Sequence, residues 1–353
     1  MELSAVFSPA LPSLAPEAAG SAFLPSAAPA PHSPAPKADG LASSEVDPIE
    51  MRARAYVQAA KAPSTLRAYR ADWRDFEAWC LARGVAALPA TPETVALYLA
   101  ARGPTHRPAT LTRRLTAIAR AHEAAGHASP ATLRHAPVSE TLKGIRRVHG
   151  AAQPGKTALR TADLRAAVAH AAPGLLGLRD RALLLVGYAG ALRRSELAAL
   201  AVPDLTRSDD GLRVSIRRSK TDQESLGRAV AIPRGSRPDT CPVAALDAWL
   251  AAARITEGAV FRRVDRHGRA GGAPLDPNSI AKILKRALRR AGYAPEGYAG
   301  HSLRAGFCTE AARGGASAFD LMRQTDHRSV AMVARYIREA ELFRDAPAGR
   351  LGL

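Results

Sequence analysis

Along residues 63–83 the apolar side chains Leu66, Tyr69, Trp73, Phe76, Trp79 and Cys80 recur at three- and four-residue intervals. That is the period of one face of an α-helix. Pro63-Ser64-Thr65 opens the run and Gly84 closes it. A second helix is predicted through VALYLAAR, with Thr91 as N-cap and Pro92 in the first position. A third follows Pro108 and stops at Gly126, and a fourth covers roughly Ser139 to Arg147. Residues 49–148 are therefore expected to form an all-helical unit.

Residues 149–158, HGAAQPGKTA, have the composition of a linker. Beyond them, residues 159–353 are expected to form a second domain. Thr161 is placed to cap its first helix, and LRDRALLLVGYAGALRRSELAAL predicts two more. The period then changes. LRVSIRRSK and GRAVAIP, with Val214 and Ile216 alternating with polar neighbours, read as two strands of a hairpin around TDQESL. CPVAALDAWLAAAR returns to helical spacing, a short strand-like AVF follows, and PNSIAKILKRALRRAG is a basic helix. The fold class is mainly α: a helical N-terminal domain, then a mostly α C-terminal domain with a small antiparallel β-sheet. No repeats are visible.

Residues 1–48 break this pattern. They are rich in Ala, Pro and Ser, cannot bury enough apolar surface to offset their ordering entropy, and read as a disordered tail. The first residues lack a basic stretch ahead of an uninterrupted apolar run, so no secretory signal is expected. No apolar run is long enough to cross a bilayer. Cys80, Cys241 and Cys308 lie far apart without paired spacing. That argues against a disulfide framework or a structural zinc and fits a reducing cytoplasm.

Charge sharpens the picture. The chain of 353 residues carries a formal net charge of +18, yet residues 1–50 hold one lysine and six acids. The remainder therefore carries a net +23 and arginine dominates it, a composition that suits phosphate recognition. A GC-rich genome accounts for arginine over lysine but not for the positive excess.

Six residues give this charge a chemical direction. Arg193 sits in GALRRSELAAL with Glu196 at i+3, where a carboxylate can hold a guanidinium. Lys220 lies in the predicted hairpin. His301 and Arg304, in GHSLRAG, share one helical face. His327 and Tyr336 occur in TDHRSVAMVARYIR, nine residues apart. Nine helical residues make about 2.5 turns, so on one helix these two side chains would oppose each other. Both reach one point only if His327 precedes the helix, with Ser329 as N-cap and the helix starting near Val330. Each residue alone has an ordinary reading: a helical salt bridge, a solvated lysine, a capping histidine, a core tyrosine. Together, a tyrosine, two arginines, a lysine and two histidines suit attack on a phosphodiester.

Their order and spacing resemble the tyrosine recombinase (phage integrase) family, in its two-domain, Cre-like or Xer-like form, over roughly residues 50–345. The resemblance implies a core-type DNA-binding domain at 49–148 and a catalytic domain at 159–353. It implies that Tyr336 attacks phosphorus and leaves a 3′-phosphotyrosyl link, that Arg193 and Arg304 clamp the non-bridging oxygens, and that His327 adds a hydrogen bond. Glu196 would support Arg193, His301 would assist proton transfer at the tyrosine, and Lys220 would protonate the departing 5′ oxygen. One departure is visible: the family often has Gly before the last histidine, and here it is Asp326. No cofactor, metal or ATP is implied, and no phosphate-binding Gly-rich loop is present.

The implied partner is double-stranded DNA, clamped by the two domains, with exchange in a homotetramer on two sites through a Holliday junction. Candidate DNA contacts are Arg67, Arg70, Arg113, Arg114, Arg120, Lys143, Arg146 and Arg147 in the first domain, and Lys282, Lys285, Arg286 and Arg289 in the second. The segment after Tyr336, with Ile337, Leu342 and Phe343, docks either on a neighbour or on its own domain. Two alternatives share much of this sequence logic: a tyrosine-type DNA topoisomerase, and a DNA-binding accessory protein without catalysis.

Overall fold

The computed structural model describes residues 47, 49, 51–52, 56, 60–151, 155–217, 227–342, 346, 348 and 351. The chain divides into two compact units, Met1–Gln153 and Pro154–Leu353.

The first unit is built from four helices: α1 (Pro63–Ala82), α2 (Pro92–Arg102), α3 (Pro108–Ala124) and α4 (Ala136–His149). Each starts with proline in its first turn, where the missing N–H costs nothing. The Thr91 hydroxyl accepts from the Thr94 N–H at 3.2 Å, the cap expected of it. The buried positions are those of the apolar stripe: Trp73, Phe76 and Cys80 on α1 meet Tyr98, Leu99, Leu111, Leu115 and Ile118. Helix α4 begins three residues earlier than its apolar spacing suggests. Under this core runs a polar tie. Asp75 accepts from Tyr98 Oη at 2.6 Å and from Arg102 at 3.0–3.1 Å, and it also pairs with Arg114.

The second unit begins with α5 (Thr161–Ala169), α6 (Gly174–Ala189) and α7 (Arg194–Ala199). Thr161 does not cap α5 with its hydroxyl. It is the first helical residue; its N–H donates to Glu310 Oε2 at 3.2 Å and its hydroxyl pairs with Tyr188 at 2.9 Å. A carboxylate from a distant helix does the capping, and no local pattern announces that.

The predicted hairpin is the right half of a three-stranded antiparallel sheet: β1 (Leu205–Arg207), β2 (Gly211–Ile216) and β3 (Arg228–Pro233), with Val214 opposite Val230. Its turn, including Lys220, lies outside the described residues. After α8 (Pro242–Ala252), Val260 and Phe261 are buried. They precede rather than form a strand: the second, two-stranded sheet is β4 (Arg262–Val264) with β5 (Ala270–Pro274). Four helices close the unit: α9 (Pro277–Arg290), α10 (Ser302–Arg313), α11 (Ala318–Thr325) and α12 (Val330–Glu341). The main core gathers α5–α9 and the first sheet. A smaller core under α10–α12 holds Ala305, Cys308, Ala312, Leu321, Val333 and Tyr336. Gly306 lets α10 run against the chain entering α5: a Cβ there would lie 2.0 Å from the Leu159 carbonyl oxygen. Among the described residues, no helix is long and apolar enough to cross a membrane, and the three cysteines are free and buried.

Candidate active site

Helix α6 ends in a tight turn, where Ala191 adopts φ +47. Two residues later Arg193 stands as the N-cap of α7, just outside the helix on which its spacing had placed it. The difference is functional in form. The Glu196 carboxylate folds back to accept from the Arg193 N–H at 2.9 Å and from its guanidinium at 2.7 Å. Glu196 is buried and would be a costly lone charge. A second guanidinium, from Arg228 at the start of β3, meets it at 3.0 Å and also donates to the Gln324 carbonyl at 2.9 Å. Arg228 thus joins the sheet, α7 and the end of α11 in one ionic cluster. An arginine opening a strand carries no sequence mark of this role.

Helix α11 ends at Asp326, which takes the left-handed conformation (φ 57, ψ 43). This is why glycine suits the position and why a short polar residue is the next best occupant. The backbone carbonyl and carboxylate of Asp326 both face Arg193, at 3.3 and 3.4 Å. The departure from the family pattern therefore sets an acid against a proposed phosphate clamp.

Arg304 is buried, with 1% of its surface exposed. It donates to the Ala191 carbonyl at 2.8 Å and to the Thr325 carbonyl, tying the α6–α7 turn to the end of α11. Burial and the nearby charge of Arg193 lower its pKa to about 10, so it stays cationic near neutrality. His327 follows in the turn before α12, as the nine-residue interval required. Ser329 is the N-cap residue, but its side chain makes no capping hydrogen bond. His327 Nδ1 lies 2.6 Å from Thr325 Oγ1, which itself donates to Leu321 O. That network assigns the ring proton to Nδ1 and leaves Nε2 as an acceptor, 3.4 Å from Arg304. Burial first, then the charges of Arg304 and Arg193, lower the His327 pKa to about 4.

Tyr336 is buried among the small core of α10–α12. Its hydroxyl is not in apolar surroundings: His301 Nε2 lies 3.2 Å away and Arg335 Nη2 donates at 2.8 Å. The His327 ring is 6.1 Å from the tyrosine ring. His301 is exposed at the N-terminus of α10. Desolvation, then Arg304, Arg335 and Arg193, lower its pKa. Arg193, His301, Arg304, His327 and Tyr336 therefore form one continuous polar cluster, supported by Glu196. Among the described residues, no three His, Cys, Asp or Glu side chains gather as a metal site requires.

The candidate DNA contacts divide by exposure. Arg67, Arg70, Arg146, Arg147, Lys282 and Arg289 are exposed. Arg113 pairs with buried Asp72 at 2.9 Å, Arg120 with Glu123 at 3.0 Å and Lys143 with Glu140 at 3.6 Å. Lys285 is half-buried. Arg286 is tied to Asp180 at 2.8 Å. Arg114 is misplaced in this group: it is buried and its guanidinium is spent on Asp75, Tyr98 and His106. A continuous charged run looks alike whether it faces solvent or a buried carboxylate.

Residues 157–342 match the Phage integrase family. The chain is 38% identical over 309 residues to an integrase/recombinase xerD homolog of Selenomonas ruminantium, covering 86% of this chain and 89% of that one. This chain belongs to the phage integrase family of tyrosine recombinases. Its fold also resembles the XerH site-specific recombinase bound to palindromic difH substrate in a post-cleavage complex, at TM-score 0.57, 16% identity and coverage of 74% and 72%. A lambda integrase tetramer bound to a Holliday junction matches at TM-score 0.50, 15% identity and coverage of 82% and 75%. As a family member, this chain is a tyrosine site-specific recombinase.

Proposed function

We propose that Tyr336 is the nucleophile, that its target is a DNA phosphodiester, and that the residues around it act as their chemistry suggests. The observation that carries this reading is the placement of the Tyr336 hydroxyl: the side chain is buried, yet its oxygen meets His301 Nε2 at 3.2 Å and the Arg335 guanidinium at 2.8 Å, beside the Arg304–His327 pair. A phosphodiester repels nucleophiles through its charge. Arg193 and Arg304 neutralise the two non-bridging oxygens. Glu196 and Arg228 hold Arg193 in place. His301 accepts the phenol proton, and Lys220 gives a proton to the departing 5′ oxygen. His327 has no proton on Nε2 in the arrangement described. The charge of a bound phosphate favours its protonated form, and it then donates a further hydrogen bond to the phosphate. The 3′-phosphotyrosyl bond conserves the phosphodiester's energy, so a second 5′-hydroxyl can displace the tyrosine without ATP.

Residues 49–148 serve as the core-type DNA-binding domain and 159–353 as the catalytic domain, joined by 149–158. The exposed basic residues of α1, α4 and α9 supply phosphate contacts. The lambda integrase tetramer on a Holliday junction supports a homotetramer on two sites, and the DNA substrate and reduced cysteines suit the cytoplasm. The test is recombination between two cognate sites on one plasmid. The wild type is expected to yield joined recombinant products and Tyr336→Phe none. Relaxation of supercoils without recombinants would favour a topoisomerase instead.

A further inference from the structure

The guanidinium of Arg335 makes two contacts with the residue that follows it. Nη2 donates to Tyr336 Oη at 2.8 Å, and Cζ lies 4.6 Å from the centre of the tyrosine ring. Successive helical residues point about 100° apart, so such neighbours do not ordinarily meet. Here Arg335 is exposed and Tyr336 buried. The arginine folds over the ring to reach the hydroxyl at its rim. His301 Nε2, at 3.2 Å, is the other group on the same oxygen. A guanidinium only donates, so the phenol oxygen accepts from Arg335 and its own proton is directed at His301.

We propose that Arg335 is a further catalytic residue, one that holds the Tyr336 oxygen and stabilises the negative charge it gains as its proton passes to His301. The inference rests on Tyr336 being the nucleophile. In the step itself the Tyr336 Oη–P bond forms and the P–O5′ bond breaks. The phenol proton moves to His301 Nε2, and the 5′ alkoxide takes a proton from the acid assigned to Lys220. The other groups around the ring do not compete for this task. From α10, Arg304 is a buried cation engaged with two carbonyls, and burial raises the Cys308 pKa to about 11, keeping it a thiol. Helix α11 contributes Leu321, which does not titrate. His301, at the start of α10, has a lowered pKa and is available as a neutral ring to take the proton, while His327, from the turn before α12, faces Arg304 at 3.4 Å and serves the phosphate rather than the phenol oxygen. A cation over the ring face and on its oxygen stabilises the phenolate twice, by hydrogen bond and by field.

The experiment is single-turnover trapping on a suicide DNA substrate whose short 5′ fragment diffuses away after cleavage, at saturating full-length protein. It compares wild type, Arg335→Ala, Arg335→Gln and Arg335→Lys between about pH 6 and about pH 10. Near neutral pH the alanine variant is expected to form the covalent adduct about ten- to a hundredfold more slowly. Lysine should restore more of the rate than glutamine, because charge is the larger part. The alanine deficit should shrink as pH rises, because hydroxide then removes the phenol proton without help. A purely structural arginine would not produce that pH dependence. Equal rates for wild type and Arg335→Ala across the range, with any defect confined to DNA affinity, would overturn the proposal. If the wild type itself traps no adduct, the nucleophile assignment fails rather than the role of Arg335.

Discussion

At the scale of single residues, the cluster around Tyr336 is dominated by positive charge held close together and partly out of water. Burial, then the charge of Arg193, lower the Arg304 pKa to about 10, which still leaves it cationic near neutrality; its guanidinium donates to two backbone carbonyls. The histidines yield instead. The folded chain leaves His327 unprotonated until about pH 4, whereas the unfolded chain protonates it near the usual value of 6.5. Between those values the unfolded state binds more protons, so stability falls as pH drops from 6.5 to about 4 and is unaffected by this group above 6.5. The slope is about 1.4 kcal/mol per pH unit inside the window, and His301 acts in the same direction. Urea unfolding of wild type and His327→Gln, at about pH 7 and about pH 5, should show the wild type losing more stability on acidification. Parallel losses would mean that His327 titrates normally.

At the scale of elements, the site depends on how closely α10 approaches the start of α5. The Leu159 N–H donates to the Ser302 carbonyl at 3.1 Å, and Gly306 faces the Leu159 carbonyl one turn on. Gly306→Ala forces backbone apart, with an expected loss of about 1–3 kcal/mol. That is a fall of several degrees in Tm. Arg304, two residues earlier, would shift with the helix. Thermal unfolding checks the first effect and adduct yield the second; an alanine variant with wild-type Tm would show that the contact is not made. The helices were legible in the sequence because each repeats its apolar spacing over several turns, as Trp73, Phe76 and Cys80 do. Strands β1, β4 and β5 were not, since three to five residues, two of them Gly271 and Gly272, carry too little pattern. The turn position of His327 followed from counting residues to Tyr336. Arg228 and Arg335 did not, because each earns its place through a partner that only the tertiary fold supplies.

At the scale of the molecule, a net charge of +18 serves a polyanionic partner. Several arginines are nonetheless internal structure: Arg114, Arg179 and Arg228 are held by carboxylates. Composition therefore announces DNA but cannot say which cations meet it. The proposed chemistry turns on one phenolic oxygen, that of Tyr336, bonding to the DNA. The direct measurement is to trap the covalent complex on a suicide substrate, digest both components, and locate the residual nucleotide on the peptides by mass spectrometry. The modification is predicted on Tyr336, with a free 5′-hydroxyl on the released strand. A nucleotide on any other residue, or cleavage leaving no nucleotide on the protein, would contradict it.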